Sequence, residues 1–277
     1  MNEGQELIEK LKEKIEQDTL ILPTLPAIAM QISDEASNPD ADLKKMYSII
    51  IKDPALSARM VKVANTSLIA KSQPVSGLDR AVNRLGLKNI KNIAIGLAME
   101  QMFESNSTFT KSKMKKKWDQ TVTTIGASIG VFNLIKEDLK KEFSADTLIL
   151  AALLRNIGCL PIYKEASEFG DICYVNNFME PAIEKYSGLI GGSILKKWGF
   201  EPFMVDVAMN VSDFSYFTDD LSYLDLIRIG MVACEQETQH RDIILHNAEK
   251  KGVSLSGVDF ISDDYMNARD SALSIFN

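Results

Sequence analysis

The chain has 277 residues, of which 45% are hydrophobic and 25% charged, and its formal net charge is −7 at pH 7. This composition is typical of a globular protein that can bury one large core or the cores of two lobes. The acidic balance argues against nucleic-acid binding over the whole surface, because such binding depends largely on neutralising phosphates.

The start of the sequence and its apolar runs predict neither a secretion signal nor a membrane insertion. Residues 1–6 contain neither the basic region nor the apolar region of a secretory signal. The longest apolar stretch, residues 148–154, is much shorter than the roughly 18 residues that a membrane-spanning helix needs. Cys159, Cys173 and Cys234 are widely separated, which predicts reduced packing residues rather than a disulfide framework or a metal site. We therefore expect a cytoplasmic protein.

Helical periodicity begins near the N-terminus. Leu7, Leu11 and Ile15 recur every four residues among Glu and Lys, which predicts an amphipathic helix that ends before the proline-containing segment 22–26. A second helix is predicted over residues 27–38, because the residue before a proline is disfavoured in the α region.

The next helices are predicted from their caps. Asp53 suits an N-cap and Pro54 suits the first helical position. The apolar face of that helix is formed by Leu56, Met60, Val63 and Ala64. Ser76 resembles the start of a capping box, opening a helix that buries Ala81, Val82 and Leu85 and that Gly86 is expected to end. A further helix over residues 88–103 precedes a polar linker, so we predict an N-terminal lobe of residues 1–104 and a second lobe of residues 105–277 with a C-terminal helical extension.

The second lobe is also predicted to be helical. A long helix should cover residues 113–138, where Gly126 and Gly130 allow a neighbouring helix to approach closely. Ser144 suits the N-cap of a helix whose buried face is Leu148, Ala152 and Leu153. Further helices are predicted near residues 163–169, 179–197, 202–214, 221–238 and 263–275. No alternating strand pattern is present in the sequence, which predicts an all-α fold. The lysine-rich run 111–117 is typical of a solvated helix start rather than of a nucleic-acid site.

Five motifs in order resemble the HDOD family, a bacterial signalling module related to the HD metal-dependent phosphohydrolases. They are Leu22-Pro23-Thr24-Leu25-Pro26, Asp53-Pro54-Ala55-Leu56-Ser57-Ala58-Arg59, Val63-Ala64-Asn65-Thr66-Ser67, Ala81-Val82-Asn83-Arg84-Leu85-Gly86 and Ile93-Ala94-Ile95-Gly96-Leu97. The resemblance covers roughly residues 20–215. It implies a two-lobed helical module whose second lobe is similar to the HD helical bundle.

The resemblance also implies where HD enzymes hold their metal, and this chain departs from the pattern there. Gln120 occupies the first ligand position, and Arg155-Asn156 stands where the family relatives show His-Asp. Ser187 falls about where another histidine would lie, and the later His-His pair would fall near residues 211 and 212. An HD enzyme needs imidazoles and carboxylates to hold an ion that activates water. Arg155 instead supplies a guanidinium that repels a divalent cation, so we expect no metal, no cofactor and no catalytic residues.

The distribution of histidine supports the same expectation. His240 and His246 are the two histidines of the chain, and both lie beyond the region of resemblance. A spacing of six does not place them on one helix face, which favours ordinary surface residues. The motifs of a nucleophile elbow, a phosphate-binding loop and a dinucleotide-binding turn are also missing from the sequence.

Residues that the family shares without an evident core role are candidates for binding. These are Asp53, Arg59, Asn65 and Arg84, together with Arg155 and Asn156. Each has a structural alternative: Asp53 as a helix cap, Asn65 as a left-handed helix end, Arg59 and Arg84 in ion pairs, Arg155 in a pair with an acidic residue that fills the vacated space, and Asn156 as a buried amide bonded to the backbone.

Three functions follow as hypotheses. The first is a non-catalytic signal-transduction module that binds a partner protein in trans. The alternative is a sensor in which Arg155 replaces the charge of the metal and binds a small anion such as a nucleotide. The third is residual metal-dependent phosphohydrolase activity. The role of residues 216–277, as part of the second lobe or as a separate surface, is left open.

Overall fold

The computed structural model describes residues 3–66, 69, 73–103, 108–169 and 179–276. Within these residues the secondary structure is helical and includes fourteen α-helices, which confirms the all-α prediction. The helices of the first half are α1 Glu3–Glu16, α2 Ala27–Ser37, α3 Leu43–Ile50, α4 Pro54–Ala64, α5 Leu78–Met102 and α6 Thr108–Leu134. Those of the second half are α7 Glu137–Lys140, α8 Ala145–Leu154, α9 Cys159–Ala166, α10 Glu180–Lys197, α11 Pro202–Asn210, α12 Tyr223–Ala233, α13 Arg241–Lys250 and α14 Asp263–Leu273.

The chain forms two compact units, each assembled from three segments. Unit 1 contains residues 1–24, 101–121 and 154–218, and unit 2 contains residues 25–100, 122–153 and 219–277. The lobe boundary predicted at residues 104 and 105 lies outside the described residues and stays a prediction.

Unit 1 is built around helices α1, α9, α10 and α11, which pack on one another. Leu7 and Leu11 of α1 are fully buried, as the four-residue periodicity predicts. Lys14 of α1 donates to both carboxylate oxygens of the buried Glu165, at 2.6 and 2.7 Å. The indole N–H of Trp198 donates to the carbonyl of Pro23 at 3.2 Å. These bonds satisfy polar groups that would otherwise be costly to bury.

Unit 2 has an apolar core in which the predicted faces of α4 and α5 are buried. The C-terminal residues 219–277 belong to this unit. A side chain at Gly126 would lie 2.8 Å from Leu273, and one at Gly130 would lie 2.5 Å from Tyr265, so both glycines permit α14 to pack closely on α6. The C-terminal helical extension is therefore a packed part of unit 2.

Several element boundaries differ from the sequence predictions. Helix α6 begins and ends earlier than predicted, and the short helix α7 follows it. Helices α3 and α13 were not predicted. Gly86 breaks the helical geometry with a φ of 73°, but α5 continues beyond this kink to Met102 instead of ending there. Only glycine adopts this left-handed conformation without strain, so the residue marks the turn correctly.

One described stretch, Ala145–Phe169, is long and apolar enough to pass a test for a membrane span, with a mean hydropathy of 1.5. However, 78% of its most apolar window is buried inside the protein. The core helices of a soluble protein give the same result. Cytoplasmic location stays a prediction.

Candidate functional site

Unit 1 contains a cavity of about 350 Å³ between the end of α8, the middle of α10 and the end of α11. We call it the Arg155 cavity. Its wall includes Arg155, Asn156, Ser187, Leu189, Met209 and Ser212. The structure therefore brings Arg155, Asn156, Ser187 and the 211–212 segment together around one space, although they are widely separated in sequence.

Three glycines set the close approach of the helices that form this cavity. A side chain at Gly158 would lie 2.6 Å from the nitrogen of Gly191, and the carbonyl oxygen of Ser187 is closer still. Side chains at Gly188 and Gly192 would collide with Met209 of α11. Because ordinary contacts begin near 3.4 Å, these positions have no room for a Cβ. This packing places Ser187 beside Arg155 and Asn156.

Arg155 and Asn156 follow α8 directly and are both buried, with Arg155 only 7% exposed. The Arg155 guanidinium donates to the carbonyl oxygen of Gln120 at 3.4 Å and to the amide oxygen of Asn156 at 3.5 Å. The amide nitrogen of Asn156 donates to the hydroxyl of Thr121 at 2.9 Å. Thr121 in turn donates to the carbonyl of Lys117 at 2.8 Å. Asn156 is thus a buried amide, as the structural alternative proposes, but its partners here are side chains rather than the backbone.

Gln120 lies beside this group without lining the cavity. Its backbone carbonyl accepts the long hydrogen bond from Arg155, and its side chain is half-buried. Gln120, the first predicted ligand position, is therefore adjacent to Arg155, and it contacts Arg155 through its backbone carbonyl.

The cavity carries charges of both signs and an apolar rim. Lys185 and Glu184 line it from α10, and Asp213 lines it after α11. Leu189 and Met209 also line it and are 48% and 37% exposed. Neither was singled out from the sequence. The signal was present, because Leu189 lies one helical turn after the exposed Lys185 and so falls on a solvated face.

The donor atoms of the Arg155 cavity do not fit a divalent metal. Among the described residues, no group of three or more His, Cys, Asp and Glu side chains could hold a metal ion. A buried guanidinium, an amide and two hydroxyls lie at the cavity positions where the family resemblance predicts metal ligands. The carboxylates of Glu184 and Asp213 line the same cavity, but the guanidinium repels a cation. These side chains are therefore unsuited to holding an ion that activates water.

Asp53 and Arg59 have structural roles in unit 2. Asp53 is the N-cap of α4 and accepts a hydrogen bond from the N–H of Leu56 at 3.0 Å. Arg59 forms an ion pair with Glu100. The hydrogen bond with Glu100 raises the pKa of the Arg59 guanidinium. Both observations agree with the structural alternatives, and a role in partner binding stays a prediction.

Asn65 and Arg84 both form hydrogen bonds to the backbone near the end of α4, and their predicted role in binding stays a prediction. Asn65 ends α4 with φ −102° and ψ −1°, so the predicted left-handed geometry is wrong. Its amide instead bridges the backbone of Val75, donating at 2.7 Å and accepting at 2.8 Å. Arg84 donates to the carbonyls of Ala64 at 3.1 Å and Gln73 at 2.6 Å. The two side chains therefore hold the backbone of Gln73 and Val75, while Ser67 lies outside the described residues.

The histidines lie in unit 2 with Cys234, whose thiol lies 3.7 Å from the carbonyl oxygen of Met231. His240 precedes α13 and contacts Glu237 at 3.3 Å, while His246 lies within α13. His240 is half-buried, His246 is exposed, and both belong to unit 2. Cys159 belongs to unit 1 and is buried, and burial raises the pKa of its thiol, which disfavours a reactive thiolate. Cys173 lies outside the described residues.

Comparison with known proteins gives one family match and several structural relatives. The model of the HDOD domain matches residues 22–214. A Shewanella amazonensis crystal structure named "Putative metal-dependent phosphohydrolase" has a TM-score of 0.88 and 33% identity, with 100% of both chains covered. A Geobacter sulfurreducens HDOD domain protein with unknown function has a TM-score of 0.59 and 19% identity, with 95% of this chain and 92% of the other covered.

A curated sequence relative adds little about function. An uncharacterized protein of Treponema pallidum is 26% identical over 137 residues, which is 50% of this chain. The match spans 25% of that relative, so the chain corresponds to about a quarter of its length.

Proposed function

This chain belongs to the HDOD domain family, and on that premise we propose that it is a non-catalytic regulatory module that binds a signalling protein in trans. The observation that carries the proposal is the surface around the Arg155 cavity. There the exposed side chains of Leu189 and Met209 flank a polar cavity that contains a buried arginine.

The chemistry of the cavity supports binding rather than catalysis. The family resemblance places metal ligands at residues 120, 155, 156 and 187, and this chain has Gln, Arg, Asn and Ser there. Hydroxyls and amides are hydrogen-bonding groups that suit recognition of a polar partner. They do not replace the imidazoles and carboxylates that hold a catalytic ion.

The rim of the cavity has the composition of a protein interface. Met, Arg and large apolar residues are enriched at such interfaces, and binding energy concentrates in a few of them. Leu189 and Met209 line the same cavity from α10 and α11, so they form a pair rather than two scattered apolar residues. Lys185 and Glu184 add charges of both signs that a partner can match.

The proposal is tested by capture from the native cell with matched variants. We expect Leu189→Glu to remove the partners that the wild-type protein enriches, because a carboxylate would be desolvated at the centre of the contact. Ile243→Glu is the control, since Ile243 is 43% exposed and lies in unit 2, outside the cavity.

Binding of the recovered partner is then measured with both purified proteins. A loss of at least about tenfold in affinity is expected for Leu189→Glu, which corresponds to about 1.4 kcal/mol. Equal binding by the wild-type and Leu189→Glu proteins would show that the partner does not bind at the Arg155 cavity.

A second candidate function is a sensor for a small anion such as a nucleotide, with Arg155 as the charged contact. It is favoured by the position of Arg155 in the wall of a cavity whose 350 Å³ falls within the range of ligand sites. The carboxylates of Glu184 and Asp213 in the same wall oppose it.

A thermal-shift screen with nucleotides and cyclic dinucleotides at millimolar concentration tests the sensor. A ligand at 100 times its Kd stabilises the folded state by about 2.7 kcal/mol, so a true ligand should raise the melting temperature. The increase should be lost in Arg155→Met and kept in Lys12→Gln, an exposed position on α1. Absence of any shift with the wild-type protein would exclude this candidate.

The name of the Shewanella relative raises residual phosphohydrolase activity as a third candidate. It is tested by measuring bound metal after purification without added ions, and by phosphomonoesterase and phosphodiesterase assays with Mn²⁺. We expect neither stoichiometric metal nor turnover. Stoichiometric metal together with turnover that Asn156→Ala abolishes would overturn the non-catalytic proposal.

A further inference from the structure

Unit 1 contains a second cavity, of about 410 Å³, which we call the Tyr163 cavity. One face of α9 forms part of its wall, because Leu160, Tyr163, Lys164 and Ser167 follow the spacing of residues on one helical face. The first turns of α6 contribute Thr110 and Met114, and the segment after α1 contributes Ile21, Leu22 and Pro23.

The size and the wall of this cavity are those of a small-molecule site. Ligand pockets commonly enclose about 300–1,000 Å³ and combine apolar walls with a few polar groups. Here apolar side chains form most of the wall, among them Leu22, Met114 and Leu160. Met114 and Leu160 are buried in the protein, whereas Ile21 is 65% exposed, so the apolar wall extends from the interior to an open mouth.

Tyr163 is the polar residue that indicates a ligand. It is only 3% exposed and lines the cavity. Its hydroxyl is not one of the buried polar atoms that lack a partner among the described residues, so water or a ligand in the cavity can form a hydrogen bond with it. Burial also raises the pKa of Tyr163, so the hydroxyl stays neutral and can donate to an acceptor.

Lys164 supplies a positive charge at the same cavity. It lines the wall, and its side chain is exposed. The hydrogen bond from Lys10 lowers the pKa of the nearby Glu168 carboxyl, and the charge of Lys164 contributes to this lowering. One neutral donor and one cation match an acceptor that carries a single negative charge.

We propose that the Tyr163 cavity binds an apolar monocarboxylate such as a fatty acid. Its carboxylate accepts a hydrogen bond from Tyr163 and faces Lys164, and its hydrocarbon body lies against Met114 and Leu160. The site is separate from the Arg155 cavity and does not depend on the partner proposed for that cavity. A phosphate is a poorer match, since its second charge would lack a cation in the wall.

The test is calorimetric titration of the full-length protein with dodecanoate, dodecanol and acetate, below the concentration at which dodecanoate forms micelles. We expect saturable one-to-one binding of dodecanoate, weaker binding of dodecanol and none of acetate. Tyr163→Phe keeps the ring and should weaken dodecanoate binding about tenfold or more, because a hydrogen bond to a charged group is lost. Tyr47→Phe, in unit 2, is the control and should bind as the wild-type protein does.

Two further variants separate the charge from the apolar body. Lys164→Gln should reduce dodecanoate binding about threefold and leave dodecanol binding unchanged, because the charge is exposed to solvent. Leu160→Trp should fill the cavity and abolish both, with its folding checked by circular dichroism. No saturable binding of dodecanoate to the wild-type protein would overturn the proposal. Equal binding by Tyr163→Phe would also overturn it, whether or not the Leu160→Trp protein folds.

Discussion

The close packing at Gly158 gives a prediction with a calculable steric basis. Gly158 has φ −68° and ψ −13°, which alanine adopts without strain, so a Gly158→Ala change tests space alone. The new Cβ would lie 2.6 Å from the nitrogen of Gly191 and closer still to the carbonyl oxygen of Ser187. Both obstacles are backbone atoms of α10, which cannot rotate away as a side chain can.

The expected cost follows from the distance that α10 would have to move. Ordinary contacts begin near 3.4 Å, and the new Cβ would lie 2.6 Å from the Gly191 nitrogen. That nitrogen would therefore have to move away by about 0.8 Å. Inserting a methyl group into well-packed structure typically costs about 1–3 kcal/mol. Because the obstruction is backbone, we expect a value near the upper end, about 3 kcal/mol of the free energy of unfolding.

Urea denaturation followed by circular dichroism measures this change, with Gly191→Ala as the matched control. A side chain at Gly191 would lie 3.4 Å from the Gly158 nitrogen and 3.5 Å from Ala208, which is tolerable contact. Alanine is also about 1 kcal/mol better than glycine within a helix. The control should therefore change stability by no more than about 1 kcal/mol in either direction. The steric reasoning fails if Gly158→Ala is as stable as the wild-type protein.

Two further predictions concern unit 2. Lys251 donates to both oxygens of the buried Asp225 carboxylate, at 2.8 and 2.9 Å, so Asp225→Asn should lower the free energy of unfolding by about 3–5 kcal/mol. Asp138 forms an exposed ion pair with Lys141 and is the control. Asp138→Asn should change the free energy of unfolding by less than about 1 kcal/mol in the same urea titrations. Burial raises the pKa of Tyr265 to about 12. The folded state then holds this proton more tightly than the unfolded state, so stability should fall as pH rises from about 10 to 12. The Tyr265→Phe protein should show a smaller decline over that range, and an unchanged pH profile would refute the role of this residue.

Local sequence signals predicted the helices that have strong caps and an apolar stripe. Asp53 and Pro54 define the start of α4 because side-chain capping and a fixed φ act over a few residues. Gly126 and Gly130 were correctly assigned to a close helix approach, although the sequence could not say that α14 was the neighbour. That pairing joins residues more than 130 apart, and periodicity carries no information about it.

The missed helices had weaker or less usual signals. Asp42 caps α3, which follows the proline at residue 39 too closely for the apolar pattern to stand out. Helix α13 follows His240, whose side chain makes no capping bond. Asn65 shows a different limit, since its side chain is used to hold Val75 through two hydrogen bonds. A contact across ten residues overrode the local tendency of asparagine to end a helix in the left-handed conformation.

The candidate site was predicted only as far as the family resemblance extended. Residues 155, 156 and 187 were placed together by the motif positions, and the structure places them around one cavity. Leu189, Met209 and Tyr163 were not predicted. Only Leu189 had a local signal, its helical spacing from Lys185, because the exposure of Met209 and the cavity beside Tyr163 are properties of tertiary packing.

The two larger cavities described in this chain are both in unit 1, which is where we propose that ligand and partner bind. The Arg155 and Tyr163 cavities enclose about 350 and 410 Å³ and both are lined by residues of unit 1. The cavity described in unit 2 holds about 20 Å³, which is room for about one water molecule. Helix α9 lies between the two cavities in sequence terms. Gly158, the residue before α9, permits the close approach of α10 at the Arg155 cavity, and one face of α9 lines the Tyr163 cavity. Substitutions that alter binding without lowering stability should therefore concentrate in residues 154–218.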